Sequence, residues 1–449
     1  MTTIDIYNIF KEHPIVTTDS RDCPAGSMFF ALRGDNFNGN AYARSAIEKG
    51  CAYAVIDDIA YMPSDGDERF ILVDNVLKTM QQLANMHRRT LGTTIIGITG
   101  TNGKTTTKEL VAAVLSKKYN ILYTQGNLNN HIGVPKTLLK LNESHEIAVI
   151  EMGANHPGEI KVLTEIAEPD YGIITNVGKA HLEGFGSFEG VIKTKGELYD
   201  FIRVRKGKVF INKDNDILKN IAHDLELIGY GQTGDADLEV MGTLCNGSPF
   251  MTFDWWTTSA DSADKKHHVE THLIGAYNID NALAAATVGK HFGVNEKDIS
   301  NAISEYIPSN NRSQMKETLH NRLIIDTYNA NPTSMKAALD NFRTIESGSK
   351  MCILGQMGEL GIYSEEEHEK ILAILSEDNM QKVWLVGKEF IQLFHTDEGT
   401  EKKQLPPHYR LFENVEEVKK EILKDQLQGF TILIKASNSI RLFELPELL

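Results

Sequence analysis

The residues best suited to chemistry lie in one stretch, Gly100-Thr101-Asn102-Gly103-Lys104-Thr105-Thr106. An apolar, β-branched run enters this glycine turn, and the residues beyond it have the composition of a helix. Glycines let backbone N–H groups approach phosphate oxygens, and a helix N-terminus adds the positive end of its dipole. The Lys104 ammonium would then reach the β- and γ-phosphates of a nucleotide, and the Thr105 hydroxyl would bind Mg²⁺. The stretch predicts a phosphate-binding loop, although Ile98 stands where the usual G-x-x-x-x-G-K-[ST] pattern has glycine.

The elements around this loop must form a mostly parallel sheet, because strand-like and helix-like runs alternate from residue 93 to about 308. Ligands in such sheets bind beyond the carboxyl ends of the strands. Three polar segments follow predicted strands there: a loop with Asn129 and Asn130, Glu151 directly after a strand, and a loop with His181. A lone histidine is more often a core or capping residue, but this position favours a role for His181 in the site.

A length of 449 residues predicts about three domains at ~150 residues each. We expect a small α/β unit at 1–92, the central unit at 93–308 and a third α/β unit at 309–449. Within the first unit, Asp19-Ser20-Arg21 reads on composition as a polar turn with an Asx-type hydrogen bond.

Composition excludes several classes of protein. A formal net charge of -15 argues against a nucleic-acid-binding face, which would be basic. We see no signal peptide and no apolar run long enough for a membrane span, so no membrane insertion is expected. The four cysteines are scattered and form no C-x-x-C pair, which is typical of a reduced, cytoplasmic protein without a disulfide framework or zinc site.

Two patterns imitate sites. Residues 229–234 fit G-x-G-x-x-G but do not open a helix, so we reject a dinucleotide site. The pair His267-His268 lies in a polar, β-rich insertion between about 238 and 274 and reads as a solvated turn. With no carboxylate or cysteine partner apparent, metal binding there is disfavoured.

Further motifs are G-N-L-N-N-x-I-G-V-P, E-M-G, N-V-G-x-A-H-L-E, K-x-K-G-E, G-x-x-N-x-x-N-A-L-A-A, N-R-S-Q, D-x-Y-N-A-N-P-x-S-M and G-x-M-G-E-L-G. With these motifs the chain resembles the Mur ligases, ATP-dependent ligases that build the stem peptide of peptidoglycan, over all three units. The resemblance implies a UDP-substrate-binding domain at 1–92, an ATP-binding P-loop domain at 93–308, and a Rossmann-like α/β domain at 309–449 for the incoming dipeptide.

The T-D-S-R segment with M-F-F-A-L-R-G-D resembles the members that add either the third residue or the terminal dipeptide of the stem. Residues 326–332 then resemble the members that join D-alanyl-D-alanine to UDP-N-acetylmuramoyl-tripeptide through an acyl phosphate, with ATP going to ADP and phosphate. Alternatives within enzymes are a ligase adding the third stem residue, or a folylpolyglutamate-type ligase on the same fold. An alternative from a different functional class is a P-loop switch or regulatory module that uses ATP but does not catalyse ligation. It would not need Glu151, His181 and Lys195 together, and the chain lacks a GTPase base motif.

The resemblance also implies roles for single residues. Lys104, Glu151, His181 and Lys195 would be catalytic, with Glu197 in a supporting role. Two Mg²⁺ ions are expected, one at Thr105 and Glu151, the other at His181 and a carbamylated Lys195, which would offer oxygen atoms. The residues expected to bind nucleotide or substrate are Gly100 to Thr106, Asn278 (adenine), Arg312 and Asp326 (γ-phosphate region and ribose), Asp19, Ser20 and Arg21 (uridine nucleotide), and Asn129, Asn130, Tyr328, Asn329 and Asn331.

The chain departs from the family pattern at three places: His131 replaces a common acid, Tyr277 a common histidine, and 435–438 matches K-G-S-R weakly. We expect a monomer whose domains close on ligands about a hinge near 308–312.

Overall fold

The chain forms three sheets that follow one another in sequence. The structure, a computed structural model, describes residues 1–233, 237–258, 265–308, 312–378, 380–395 and 402–449. Within them lie sheets of four, nine and six strands and a two-stranded ribbon. We call the surrounding parts the N-terminal, central and C-terminal units.

The N-terminal unit has a parallel sheet in the order β1-β2-β5-β6. Its elements are α1 (Thr3–Glu12), β1 (Val16–Thr17), β2 (Met28–Phe30), β3 (Arg33–Gly34), β4 (Phe37–Asn38), α2 (Ala43–Glu48), β5 (Tyr53–Ile56), β6 (Phe70–Leu72) and α3 (Val76–Leu91). The Asn75 side chain caps α3 by accepting from the Lys78 N–H, and Gly92 ends it in the left-handed region. Because α3 packs on α5 and α6 below, it joins this unit to the central one.

The central unit carries the nine-stranded sheet in the order β15-β14-β13-β12-β11-β10-β7-β9-β8. Its first elements are β7 (Thr94–Thr99), α4 (Lys104–Leu115), β8 (Ile121–Tyr123), α5 (Gly133–Leu138), β9 (Ile147–Glu151), α6 (Glu159–Ala167), β10 (Tyr171–Ile174), α7 (Leu182–Phe185) and α8 (Phe188–Arg205). The rest are β11 (Lys208–Asn212), α9 (Asp216–Ile221), β12 (Glu226–Gly231), β13 (Leu238–Asn246), β14 (Phe250–Thr257), β15 (His267–Ile274), α10 (Ile279–His291) and α11 (Glu296–Glu305). Strands β7 to β13 pair in parallel, and β7 is buried on both faces, as its apolar run predicts.

The C-terminal unit has the order β16-β17-β21-β18-β19-β20, parallel except for the antiparallel edge strand β16. Its elements are β16 (Gln314–Glu317), β17 (Arg322–Asp326), α12 (Pro332–Thr344), β18 (Lys350–Gly355), α13 (Ser364–Ser376), β19 (Lys382–Val386), α14 (Lys388–Phe394), β20 (Tyr409–Phe412), α15 (Val415–Asp425) and β21 (Thr431–Lys435).

The predicted mostly parallel α/β architecture is confirmed, with one error at the far end of the central sheet. There β13, β14 and β15 form an antiparallel ribbon. His267 and His268 are not in a solvated turn but begin β15, and both have the carboxylate partners that we did not expect, Glu296 and Asp254. Part of the rejected glycine motif, 229–231, lies within β12, while 234–236 fall outside the described residues. No helix in the described ranges is long and apolar enough to cross a membrane.

Candidate functional site

A cavity of about 950 Å³ opens at the carboxyl ends of β7, β9, β10 and β17. Residues of the central and C-terminal units line it, and Gln81 of α3 reaches its wall. Of the predicted site residues, the cavity brings together Thr101, Asn102, Gly103, Lys104, Thr105, Thr106, Asn129, Asn130, Glu151, His181, Asn278, Arg312, Asp326, Tyr328 and Asn329. The cavity is therefore the candidate active site.

The phosphate-binding loop lies between β7 and α4. No side chain caps α4, because its N-cap is Gly103, so its first-turn N–H groups face the cavity without a protein acceptor from a cap. Gly103 has φ +78°, and a Cβ there would lie 2.5 Å from Asn281 Oδ1. A Cβ on Gly100 would lie 2.0 Å from Thr175 Oγ1, since Thr175 donates to the Asn102 carbonyl at 2.6 Å. Only glycine fits these two positions of the loop.

Two cations meet in the cavity. Lys104 Nζ donates to the carbonyls of Gly100 and Thr101 at 2.8 and 2.9 Å. Burial lowers the pKa of Lys104 to about 8; Glu151 opposes the effect and the positive charge of Arg312 adds to it. The Arg312 guanidinium lies 3.6 Å from the centre of the Tyr328 ring, and its buried Nε has no hydrogen-bond partner among the described residues. An orphaned guanidinium N–H beside a desolvated ammonium is what a phosphate would satisfy.

A hard-cation site lies next to the loop. Glu151 is buried, accepts a hydrogen bond from Thr105 Oγ1 at 3.0 Å through one carboxylate oxygen, and accepts one from Asn129 Nδ2 at 2.8 Å through the other. A buried carboxylate and a hydroxyl beside a phosphate-binding loop are the oxygen ligands that Mg²⁺ uses in nucleotide sites. The residues present thus fit the first predicted ion.

His181 and Lys195 both approach the ring of Phe185. Lys195 Nζ is 5.3 Å from the centre of the Phe185 ring, and His181 meets that ring edge-on. Lys195 is buried and donates to the Ala154 carbonyl at 3.3 Å, whereas Lys193 is exposed. Burial, together with the nearby positive charge of Lys104, lowers the pKa of Lys195 to about 7. His181 has a left-handed backbone, φ +50°, and its Nδ1 contacts the Glu359 carboxylate of the C-terminal unit.

Some predicted residues do not line the cavity. Gly100 and Lys195 lie behind its wall. Asn331 instead joins two units: it caps α12 through the Ser334 N–H and donates to Asn102 Oδ1 at 2.8 Å.

The predicted uridine residues lie apart from the cavity. In 19–21 the backbone N–H and guanidinium of Arg21 both bond the Asp19 carboxylate, which is the Asx-type turn predicted from composition. The pKa of Asp19 is strongly lowered by those bonds. Lys136 of α5 donates to Thr18 beside this turn, so the turn faces the central unit.

In the part of the cavity predicted to bind adenine, the side chains already form hydrogen bonds with neighbouring groups of the protein. Asn278 Nδ2 donates to the Ile274 carbonyl at 2.9 Å, and its Oδ1 accepts from Asn281 at 2.9 Å. One amide hydrogen and one lone pair of Asn278 remain for a ligand. Tyr277, in place of the common histidine, hydrogen-bonds Ser313 and lines the cavity.

Sequence reasoning missed several residues that shape the site. Lys435, in the weakly matching segment, is buried, pairs with Asp326 at 2.5 Å and lines the cavity. The resemblance did give Glu197 a supporting role, and in the structure it accepts from the Gly158 and Lys161 N–H groups at 2.8 Å each. Glu359 lies in the G-x-M-G-E-L-G motif, so its position was visible but its partner His181 was not.

Comparisons with known proteins agree with this arrangement. Three family models match: the Mur ligase family catalytic domain over 13–88, the Mur ligase middle domain over 98–289, and the Mur ligase glutamate ligase domain over 311–438. The UDP-N-acetylmuramoyl-tripeptide–D-alanyl-D-alanine ligase of Bacillus subtilis (strain 168) is 34% identical over 440 residues, covering 96% of this chain and 92% of that protein. A crystal structure of MurF from Acinetobacter baumannii is 29% identical with a TM-score of 0.82, covering 96% of this chain and 92% of the other. MurF from Thermotoga maritima, solved in complex with ADP, is 24% identical with a TM-score of 0.80 over 97% of this chain and 96% of the other, a likeness of fold.

Proposed function

The chain belongs to the Mur ligase family, and from that premise we propose that it is the ATP-dependent ligase that joins D-alanyl-D-alanine to UDP-N-acetylmuramoyl-tripeptide. The products are UDP-N-acetylmuramoyl-pentapeptide, ADP and phosphate, in peptidoglycan synthesis. The observation that carries the proposal is the cavity in which an uncapped α4, Lys104 and Arg312 face the Thr105–Glu151 pair.

The reaction needs two anions to meet. The tripeptide carboxylate attacks the γ-phosphorus of ATP, the bond to the bridging oxygen of ADP breaks, and an acyl phosphate forms. The dipeptide amine then adds to the acyl carbon, loses a proton, and phosphate leaves with the amide in place. Phosphoryl transfer depends mostly on positioning and charge neutralisation. Lys104 and Arg312 supply positive charge on one side of the γ-phosphate, and the N–H groups of α4 bind the phosphates without reorganising.

Mg²⁺ would be held by Thr105 and Glu151, with a second ion at His181 and Lys195. Bound there, the ions would neutralise phosphate charge. For the second site an ammonium at Lys195 is unsuitable, because it repels a cation and has no lone pair. We therefore propose that Lys195 is carbamylated: its amine adds to CO₂, a proton leaves, and the carbamate offers oxygen ligands. The Lys195 amine is buried beside the Phe185 ring, which His181 also contacts, and this placement supports the assignment.

Phosphate release with UDP-N-acetylmuramoyl-tripeptide, with and without D-alanyl-D-alanine, tests the function. We expect turnover that needs both substrates and an intact-mass product equal to the pentapeptide nucleotide. A dipeptide-independent release of phosphate would contradict ligation. Turnover with the muramoyl-dipeptide and a diamino acid instead would identify a third-residue ligase.

The carbamate has its own test, for which the chain offers a matched control. Lys195→Ala should lose most activity, and a small carboxylate in the buffer should restore part of it by supplying the missing oxygens. The exposed Lys193, two residues away, should tolerate alanine. Full activity of Lys195→Ala in CO₂-free buffer, or greater sensitivity at Lys193, would refute the assignment.

We further propose that the protein acts as a monomer in the cytoplasm. Support for that compartment comes from free cysteines, including the partly buried Cys23, and from use of ATP.

A further inference from the structure

A second group of metal-ligating side chains lies on the antiparallel ribbon, far along the sheet from the phosphate-binding loop. Cys245 is on β13, Asp254 on β14 and His268 on β15, so three neighbouring strands each contribute one. None of the three lines the cavity described above. The described part of the chain holds no other group of three such ligands that meets the same spacing.

The register of the ribbon places these side chains on one face. Asp254 pairs directly with His268 on β15 and with Thr243 on β13. Asp254 and His268 alternate with the buried Phe253, Trp255 and Val269, so they point to the outer face. The β13–β14 pairing shifts between Leu244 and Asn246, and Cys245 lies at that irregularity. Bulges of this kind redirect a side chain.

The ligand atoms are already close together. His268 Nδ1 lies 2.7 Å from Asp254 Oδ1, and one ligand atom from each of the three residues falls within 4.8 Å of the others. Ligand atoms around one tetrahedral ion are separated by about 3–4 Å, given metal–ligand distances of ~2.0–2.3 Å. Small rotations of the exposed Cys245 and His268 and the half-buried Asp254 would suffice to close the site.

The neighbouring pair shows what an ordinary ion pair looks like on this ribbon. Glu296 contacts His267 at 3.1 Å, and two lysines, Lys290 and Lys265, approach the same carboxylate at 2.9 and 3.5 Å. Asp254 differs, because within the described ranges its ion-pair partner is His268, with no lysine or arginine beside it. The Asp254 carboxylate therefore pairs with an imidazole and lies near a thiol, while Lys266 packs over the Trp256 ring at 4.7 Å.

We propose that Cys245, Asp254 and His268 bind a zinc ion on the outer face of the ribbon. A thiolate with an imidazole and a carboxylate suits Zn²⁺, whereas Mg²⁺ takes oxygen ligands alone. Three protein ligands leave the fourth position to water. The ion would connect β13, β14 and β15, so its role is to stabilise the free end of the nine-stranded sheet.

Cobalt is the probe that reports the ligands. The full-length, reduced protein is freed of metal by chelator, transferred to buffer with excess Mg²⁺ to fill oxygen sites, and titrated with Co²⁺. We expect one-to-one binding with the visible bands of a four-coordinate ion and a thiolate-to-cobalt charge-transfer band in the near ultraviolet, both lost when Zn²⁺ is added. The predicted Mg²⁺ sites contain no thiol, so the charge-transfer band cannot arise there.

Variants separate this site from chance binding. Cys245→Ser should remove the charge-transfer band, and Asp254→Asn or His268→Ala should weaken binding at least tenfold. The control variants Cys23→Ser and His272→Ala, the latter an exposed histidine on the same strand, should bind like the parent. In the parent, Zn²⁺ should also raise the unfolding temperature, by mass action on the folded state. Absence of the band in the parent, or its survival in Cys245→Ser, would overturn the proposal.

Discussion

Replacing Lys104 with methionine is the sharpest test of the phosphate site, because methionine keeps much of the side-chain volume while removing the charge and the hydrogen bonds of the ammonium. An ammonium ~4 Å from a phosphate charge contributes about 4 kcal/mol at an effective dielectric of 20. Each 1.36 kcal/mol is a factor of ten in rate, so kcat should fall about 10³-fold. In other active sites, loss of one preorganised hydrogen-bond donor lowers kcat by about 10²- to 10³-fold, which agrees with this value.

The same substitution should not weaken the ligand-free fold. Burial lowers the pKa of Lys104 from 10.5 to about 8, so the charged form is disfavoured where it lies. That shift would correspond to a cost of roughly 3 kcal/mol for holding the charged ammonium in the folded state. Because the side chain lines an open cavity that solvent enters, the cost falls to about 1 kcal/mol. Without nucleotide, the variant should unfold at an equal or higher temperature than the parent. Addition of ATP should stabilise it much less.

Steady-state phosphate release and thermal unfolding, each with and without ATP, check both parts of this prediction. The exposed Lys193→Met serves as control and should match the parent in both assays. A kcat within tenfold of the parent would refute the electrostatic argument. So would a change confined to KM, because charge that develops during phosphoryl transfer should affect kcat. A large drop in the unfolding temperature without ligand would show that Lys104 supports the fold instead.

Three further outcomes follow from charge and domain contacts. Burial and the charge of Asp214 raise the pKa of Asp280 to about 6, above its ordinary 3.8, so the folded state holds this proton more tightly and stability falls as pH rises from about 4 to 6. Asp280→Asn should therefore increase the free energy of unfolding at pH 7 by at most about 3 kcal/mol, and so raise the unfolding temperature there, but change little at pH 4; an equal effect at both pH values would contradict this. Lys435→Met leaves Asp326 with an uncompensated charge and should destabilise by about 3–5 kcal/mol, with part of the loss recovered when Asp326→Asn is added, as chemical denaturation would show. Small-angle scattering should report a smaller radius of gyration with ATP analogue and muramoyl-tripeptide than without, and identical profiles at saturation would count against domain closure.

That closure remains a prediction, but the structure shows which contacts bear on it. The expected hinge spans 308–312, of which 309–311 fall outside the described residues. Contacts between the central and C-terminal units include the Asn102–Asn331 hydrogen bonds and an ion pair of 2.7 Å between Lys179 and Glu367. A ligand that closes the units must strengthen contacts of this kind or add its own, since it can shift the equilibrium only by its differential affinity for the two states.

The parallel sheets could be predicted because buried strands carry continuous apolar runs and helices begin and end at recognisable caps. Helix α3 is an example, since it begins after the capping residue Asn75 and ends at Gly92 in the left-handed region. The site followed from a rule of topology, which is that the segments after parallel strands meet at one edge of the sheet. Glu151 at the end of β9 thus meets Thr105, which lies beyond the loop that follows β7.

What could not be predicted depends on pairs that are distant in sequence. Lys435 meets Asp326 only because β21 inserts next to β17, and periodicity within one strand does not reveal sheet order. His268 was dismissed for lack of partners because Asp254 is fourteen residues away on a strand whose register was unknown. A turn and the start of an edge strand share the same polar composition, so the error at 267–268 was one of tertiary context.

The net charge of this protein and the charges within its cavity have opposite effects on nucleotide binding. A surface at -15 repels the nucleotide substrates at long range, so electrostatic steering does not explain their binding. Attraction must come from groups that lie within a few ångströms and are poorly hydrated. The buried Arg312 Nε, which has no partner among the described residues, and Lys104, whose pKa is lowered by burial at the cavity wall, are such groups. Because salt screens exposed charges far more than enclosed ones, the affinity for ATP should depend only weakly on ionic strength.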